Sequence, residues 1–154
     1  MDRISPFLWF DNQAEEAANF YVSVFKNSKI KQVTRYPEGT PGKVGTVMIV
    51  SFELDGHEYM ALNGGPQFKF TEAISLVVHC DSQEEIDYYW GKLTAGGQEV
   101  ECGWLKDKYG LSWQIVPRNL DKLMSTPDKT KRVMAVVMKS VKLNMAEMEQ
   151  AANG

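Results

Sequence analysis

Ile4-Ser5-Pro6-Phe7-Leu8-Trp9-Phe10-Asp11-Asn12-Gln13-Ala14-Glu15-Glu16 is restated about 70 residues later as Ile74-Ser75-Leu76-Val77-Val78-His79-Cys80-Asp81-Ser82-Gln83-Glu84-Glu85. Each copy is an apolar run, then an aspartate with small polar residues, then a helical pattern continued by Phe20-Tyr21 or Tyr89-Trp90. Each half also closes with a turn and an apolar strand: Asp55-Gly56 before residues 57–62, and residues 107–110 before residues 111–116. Internal repetition has to be read first, because missing it misassigns the whole fold. A duplicated strand–helix–strands unit predicts two half-modules, with the matched strands as the place to look for chemistry.

Outward from the repeat, residues 4–10 read as a strand with an edge or bulge at Pro6. Asn12 is the expected N-cap of a helix whose Ala14, Ala17, Ala18, Tyr21, Val24 and Phe25 recur at helical spacing. Strands follow over 29–36, 45–54 and 57–62, with Asp55-Gly56 as a hairpin turn. Residues 37–42, rich in Pro and Gly, are expected to form a mobile loop able to cover a cavity. The second half has a strand at 73–80 and a helix at 83–94 that opens on a Ser82/Glu85 capping box. Its strand material at 98–106 and 111–116 is shorter than in the first half, so one strand is lost or shortened. After Pro117 come helices at 119–124, 129–141 and 146–152, the middle one with Val133, Val136, Val137 and Val141 on one stripe. The fold class is α+β: two βαβββ-type modules, residues 1–66 and 72–117, sharing one core or one cleft. A helical extension, 118–154, completes a single domain.

With 154 residues, 44% hydrophobic and 24% charged, the composition is that of an ordinary globular domain. A net charge of −3 without a basic run gives no footprint for nucleic acid. No apolar stretch approaches the length of a membrane span, and Met1-Asp2-Arg3 does not begin a signal peptide. Two cysteines without finger or CxxC spacing point to a reducing, cytoplasmic setting.

Few residues stand out as catalytic. His57 follows a turn, where a solvated edge position is expected, whereas His79 either packs in the core or lines the cavity. Cys102, beside Gly103-Trp104, is a small buried hydrophobe or, with a positive neighbour, a reactive thiol. Cys102 and His79 are the weak catalytic candidates. Trp9, Trp104 and Trp113 lie on or beside strands expected to border the cavity, where aromatic walls suit flat or apolar ligands. The pairs Glu15-Glu16 and Glu84-Glu85 fall in first helical turns and complement the helix dipole. Gly64-Gly65 lacks the context of a phosphate cradle.

Ala61-Leu62-Asn63-Gly64-Gly65-Pro66, the stretch 81–90, and Cys102-Gly103-Trp104-Leu105-Lys106-Asp107-Lys108-Tyr109-Gly110-Leu111-Ser112-Trp113-Gln114 resemble the PhnB-like branch of the vicinal oxygen chelate superfamily. That superfamily includes glyoxalase I, bleomycin-resistance proteins and extradiol dioxygenases, and many members of the branch carry the name 3-demethylubiquinone-9 3-methyltransferase. The resemblance implies a curled mixed sheet around a cavity, formed by the two modules, and in its metal enzymes ligands, usually His or Glu, on the first and last strands of each module. The last-strand ligand stands four residues after the glycine, which gives Met60 after Gly56 and Gln114 after Gly110. The first-strand positions fall near residues 4–6 and 74–76, which hold no His, Glu or Cys. A catalytic divalent cation needs three or four donors with charge or imidazole among them. No metal and no cofactor are therefore expected.

The resemblance also makes Asn63 and Gln114 polar candidates for ligand contact, alongside Met60 and the three tryptophans. The expected function is small-molecule binding in a metal-free cavity. The alternatives are a lyase, isomerase or dioxygenase of the same superfamily, or the methyltransferase of the family name. That last activity lacks the glycine-rich strand-to-helix loop of a doubly wound S-adenosylmethionine domain. A homodimer is expected, because an exposed sheet edge and the valine stripe of the extension both seek cover.

Overall fold

A computed structural model describes residues 2–154, and the chain divides into two compact units, Met1–Phe70 and Thr71–Gly154. The first unit runs β1 (Phe7–Phe10), α1 (Ala14–Val24), β2 (Lys29–Arg35), β3 (Val47–Leu54) and β4 (His57–Asn63). The second repeats it as β5 (Ser75–Cys80), α2 (Gln83–Thr94), β6 (Gln98–Glu99), β7 (Trp104–Lys106) and β8 (Ser112–Pro117), then adds α3 (Leu120–Leu123), α4 (Pro127–Val137) and α5 (Met145–Asn153). The sheets have the orders β1-β4-β3-β2 and β5-β8-β7-β6. In each, the first strand pairs parallel with the last and the other pairs are antiparallel. The repetition in the sequence is thus a repetition of topology, an α+β arrangement of two four-stranded mixed sheets.

Each sheet buries one face under its helix. In the first unit Ala14, Ala17, Ala18, Tyr21 and Val24 of α1 are buried, as are Val50, Phe52, Leu54 and Ala61 of β3 and β4. The alanines let the helix approach the sheet closely, and Tyr21 and Tyr59 flank Phe52 with ring centroids at 6.4 and 5.6 Å. Each large side chain so buried contributes roughly 1.5–3 kcal/mol. In the second unit Ile86, Trp90 and Leu93 of α2 play the same part over Leu105 and Ile115.

Cross-strand register assigns the opposite faces, since paired residues point to one side. In the first sheet Phe7, Met60 and Ser51 form one row, and Trp9, Leu62 and Ile49 the next. In the second, the rows are Ser75, Ser112, Lys106 and Val77, Gln114, Trp104.

The element ends differ from expectation for local reasons. β1 begins at Phe7 and not at Ile4: Pro6 has no N–H for the ladder, though its carbonyl accepts Met60 N–H at 3.0 Å. The N-cap of α1 is Gln13, with no side-chain bond, and not Asn12. The Ser82 cap holds: Glu85 N–H donates to Ser82 Oγ at 3.2 Å, and the Glu85 carboxylate accepts from Asp81 N–H at 2.6 Å. The second module keeps its fourth strand in shortened form, because positive-φ residues Cys102 (65°) and Gly103 (82°) interrupt 98–106.

The extension packs within the second unit. Val133 and Val137 are buried with Leu143, Met148 and Ala152, and Val136 packs on the same cluster. That stripe therefore faces the extension's own core, and Val141 lies beyond α4, exposed. Gln83 ties the extension to α2: its amide donates to Leu143 O at 3.1 Å and accepts from Met145 N–H at 2.8 Å.

Candidate functional site

The inherited metal positions can be tested on their chemistry. Met60 lies between Phe7 and Ser51, and Gln114 between Val77 and Trp104. Gln114 Nε2 donates to Ser75 Oγ at 3.0 Å, so the second module presents an amide–hydroxyl pair there. A thioether, a neutral amide and a hydroxyl do not meet the donor requirement of a catalytic divalent cation. Among the described residues no group of three or more His, Cys, Asp and Glu can hold a metal ion. The residues present do not fit the metal that the fold implies.

The three tryptophans have separate roles. Trp9 is half-buried; its Nε1–H donates to Gly65 O at 2.9 Å, and Phe68 packs edge-on at 4.9 Å. Trp104 is half-buried on the open face of β7. Trp113 is a correction: it is 2% exposed and anchored to Asp107 Oδ2 at 2.9 Å. Strand parity explains the difference, since Ser112 and Gln114 share one face and Trp113 takes the other.

His79 is exposed, neither core nor cavity wall within its unit, and its carbonyl accepts from Arg118 at 3.3 Å. His57 is exposed beyond its turn, as expected. Cys102 is half-buried with Sγ 3.8 Å from Met138 Sδ, and its N–H donates to Ser140 O at 2.8 Å. Strand β8 separates β5, which carries His79, from β7, which Cys102 precedes. Cys80 is fully buried, and burial, reinforced by the Glu85 and Asp81 carboxylates, pushes its thiol up to about 12.

A cavity of about 830 Å³ opens at one end of the first sheet, in the size range of small-molecule sites. Asp11, Glu15, Arg35, Tyr36, Gly64 and Gly65 are among its lining residues, as is Asn63. Asn63 is committed to the backbone: Oδ1 accepts Ala14 N–H at 2.8 Å, Nδ2 donates to Val47 O at 3.1 Å, and its carbonyl accepts Tyr36 Oη–H at 2.5 Å. Asn63, expected to touch ligand, lines the cavity and at the same time caps α1 from β4. Nor is the 37–42 stretch a free flap. Tyr36 pairs with Thr46 and Gly45 at 2.8 and 2.9 Å, and Gly42 lies so close over the Tyr36 ring that a Cβ would fall 2.3 Å from it. The loop is a pinned wall.

Sequence reasoning passed over Arg35 and Tyr36, which read only as the end of a strand. It also passed over Asp107, 3% exposed, whose carboxylate accepts from Tyr109 N–H, Leu111 N–H and the Trp113 indole at 2.9, 3.1 and 2.9 Å. The Asp-x-x-Gly spacing was the available signal for Asp107. A second cavity, about 500 Å³, is lined by Cys80, Asp81, Arg118, Asn119 and residues of the extension, with Arg118 paired to Asp81 at 2.6 Å.

Known proteins give the same reading of the fold. A 3-demethylubiquinone-9 3-methyltransferase PhnB protein from Bacillus cereus, its activity marked putative in its own description, is 42% identical. It aligns over 75% of this chain and 99% of its own, with a TM-score of 0.69. A protein from Pseudomonas aeruginosa (17% identity, 76% of this chain, 98% of that one) has a TM-score of 0.63. The fosfomycin resistance protein FosX from Listeria monocytogenes (15%, 80% and 96%) has 0.58. At those identities the likeness concerns the fold alone. No functionally curated protein matches this chain. The sequence profile described as 3-demethylubiquinone-9 3-methyltransferase spans residues 2–116, both copies of the repeat and their turns, and the chain is a member of that PhnB-like family.

Proposed function

We propose that this chain is a small-molecule-binding protein that works without a catalytic metal, its ligand held in the cavity of the first unit. The observation that carries the reading is that cavity of about 830 Å³, whose walls are fixed by the Asn63 staple and the pinned 37–46 segment. A preformed cavity costs a ligand little reorganisation on entry. The neutral residues at Met60, Ser75 and Gln114 support the metal-free part of the proposal, since no charged donor stands at those places. The methyltransferase activity in the family description would need a methyl donor, for which no glycine-rich strand-to-helix cradle stands among the described residues. Gly64-Gly65 follows β4 but leads into an irregular segment and not into a helix, so no helix N-terminus is presented to a cofactor there.

Trp9 provides the test. Gly64, a lining residue, sits directly on its ring, with a hypothetical Cβ 2.4 Å away. A ligand entering the cavity is expected to change Trp9 emission saturably, whereas Trp113 stays silent in the core. A broad metabolite panel that leaves both Trp9 emission and the amide signals of Gly64 and Gly65 unmoved sinks the binding reading.

A further inference from the structure

We infer that the cavity of the first unit selects a small zwitterion, a short molecule with an acid group at one end and an ammonium at the other; this rests on the binding reading above. The two kinds of charge stand on different walls. Arg35 ends β2 at one edge of the sheet, and its guanidinium meets only Gly45 O, at 3.1 Å, with no carboxylate partner among the described residues. Asp11 follows β1 at the other edge, and Glu15 and Glu16 stand in the first turn of α1; neither Asp11 nor Glu15 has a cationic partner among the described residues. Three strand steps of about 4.8 Å separate the edges, roughly 14 Å between backbones, so the charges line one cavity without neutralising one another.

Glu15 taken alone needs no ligand, because a carboxylate in the first turn complements the helix dipole. Arg35 has no such account. Its chain neighbour Tyr36 is locked to Asn63 and Gly42, which fixes the backbone from which the guanidinium projects. Between the charged walls the lining is mostly uncharged: four glycines, Gly42, Gly45, Gly64 and Gly65, stand there with Tyr36, Thr46, Asn63 and Gln67. Packing requires glycine at two of the four, since a Cβ at Gly42 or Gly64 would enter the Tyr36 or Trp9 ring. A mostly uncharged lining with an anion acceptor at one end and cation acceptors at the other fits a short flexible chain carrying both charges. A singly charged molecule would leave one wall unanswered.

The probes are 6-aminohexanoate, hexanoate and hexylammonium, titrated into the isotope-labelled full chain at low ionic strength. The zwitterion is expected to shift the amides of Arg35, Gly42, Gly64 and Gly65 and to bind about three- to five-fold more tightly than either analogue, the gain of one partly exposed ion pair. Arg35→Gln should erase its advantage over hexylammonium, and Glu15→Gln should reduce its advantage over hexanoate; neither side chain belongs to the buried core, so both variants are expected to fold. Equal binding of all three probes at these amides, or a preference untouched by Arg35→Gln, overturns the zwitterion and leaves the binding reading standing. Should no probe shift these amides, the zwitterion is overturned, and the metabolite panel decides the broader reading separately.

Discussion

Two polar side chains carry more structure than chemistry, and both can be tested by removal. Asp107 satisfies two backbone N–H groups and one indole inside a buried turn. Asp107→Ala leaves those donors unpaired, at about 1–3 kcal/mol for each buried group, so chemical denaturation should show a loss of at least about 3 kcal/mol or failure to fold. Asn63→Ala should cost less, about 1–3 kcal/mol, because one cap and one loop anchor go with it. If Asn63 acts chiefly on ligand, its removal will alter binding and leave the denaturation midpoint in place. The cysteines differ in the same testable way: native alkylation at pH 8 should modify half-buried Cys102 and spare Cys80. Cys80 also sets an alkaline limit. Unfolded, it loses its proton near 9.0; folded, it holds it to about 12. Its contribution is complete below pH 9 and is lost as the pH rises toward 12, by up to about 1.4 kcal/mol per pH unit. Tyr59, raised by burial, acts in the same direction. A Cys80→Ala variant should therefore show a flatter stability profile above pH 9.

The elements show where local sequence suffices. Helix α2 runs Gln83–Thr94, the range its capping box and Gly96-Gly97 stop predict, because all its signals lie within a few residues. Helix α1 was harder at its start: the group that answers its first N–H is Asn63, 49 residues away, and no local pattern announces that. For α4 the valine stripe was legible, but its partner was not. Val133, Val136 and Val137 pack in one cluster with α5, while the exposed side of α4 carries Met134, with Met138 exposed at its C-cap. The extension depends on Gln83, whose amide bonds both Leu143 and Met145. Gln83→Ala is expected to raise hydrogen exchange in α5 by about ten-fold, through loss of about 1–1.5 kcal/mol of bonding, while α2 exchanges as before. Unchanged exchange in α5 would show that the apolar cluster alone holds it.

For the whole chain, two expectations concern composition and assembly. Purified protein should carry no stoichiometric zinc, nickel, manganese or iron; about one metal per chain after dialysis, lost in Gln114→Ala, would restore a metal site. We also expect a dimer. Phe7 and Phe68 in the first unit and Ile74 and Val77 in the second are large apolar side chains left 42–65% exposed, and β6 is an edge of only two residues. A closed pair burying more than about 1,200 Å² would cover such surface. Sedimentation as a monomer at micromolar concentration rejects it. Among the described residues no helix is long and apolar enough to cross a membrane.

What the sequence by itself determined is the repeat and its α+β alternation, because these rest on periodicity, on Gly and Asp turns and on caps, all interactions between residues near in the chain; the family was legible in the wording of its motifs. The resemblance carried by its motifs also placed Met60 and Gln114 where that family's metal enzymes have charged ligands. Tertiary structure decided which face each tryptophan takes, what Asn63 spends its amide on and where a cavity opens. Those depend on strand register and on contacts across 27 to 56 residues of sequence, as in Tyr36 with Asn63 and Trp9 with Gly65. A one-residue change of parity moves a side chain from cavity to core, and only the paired strands set that parity.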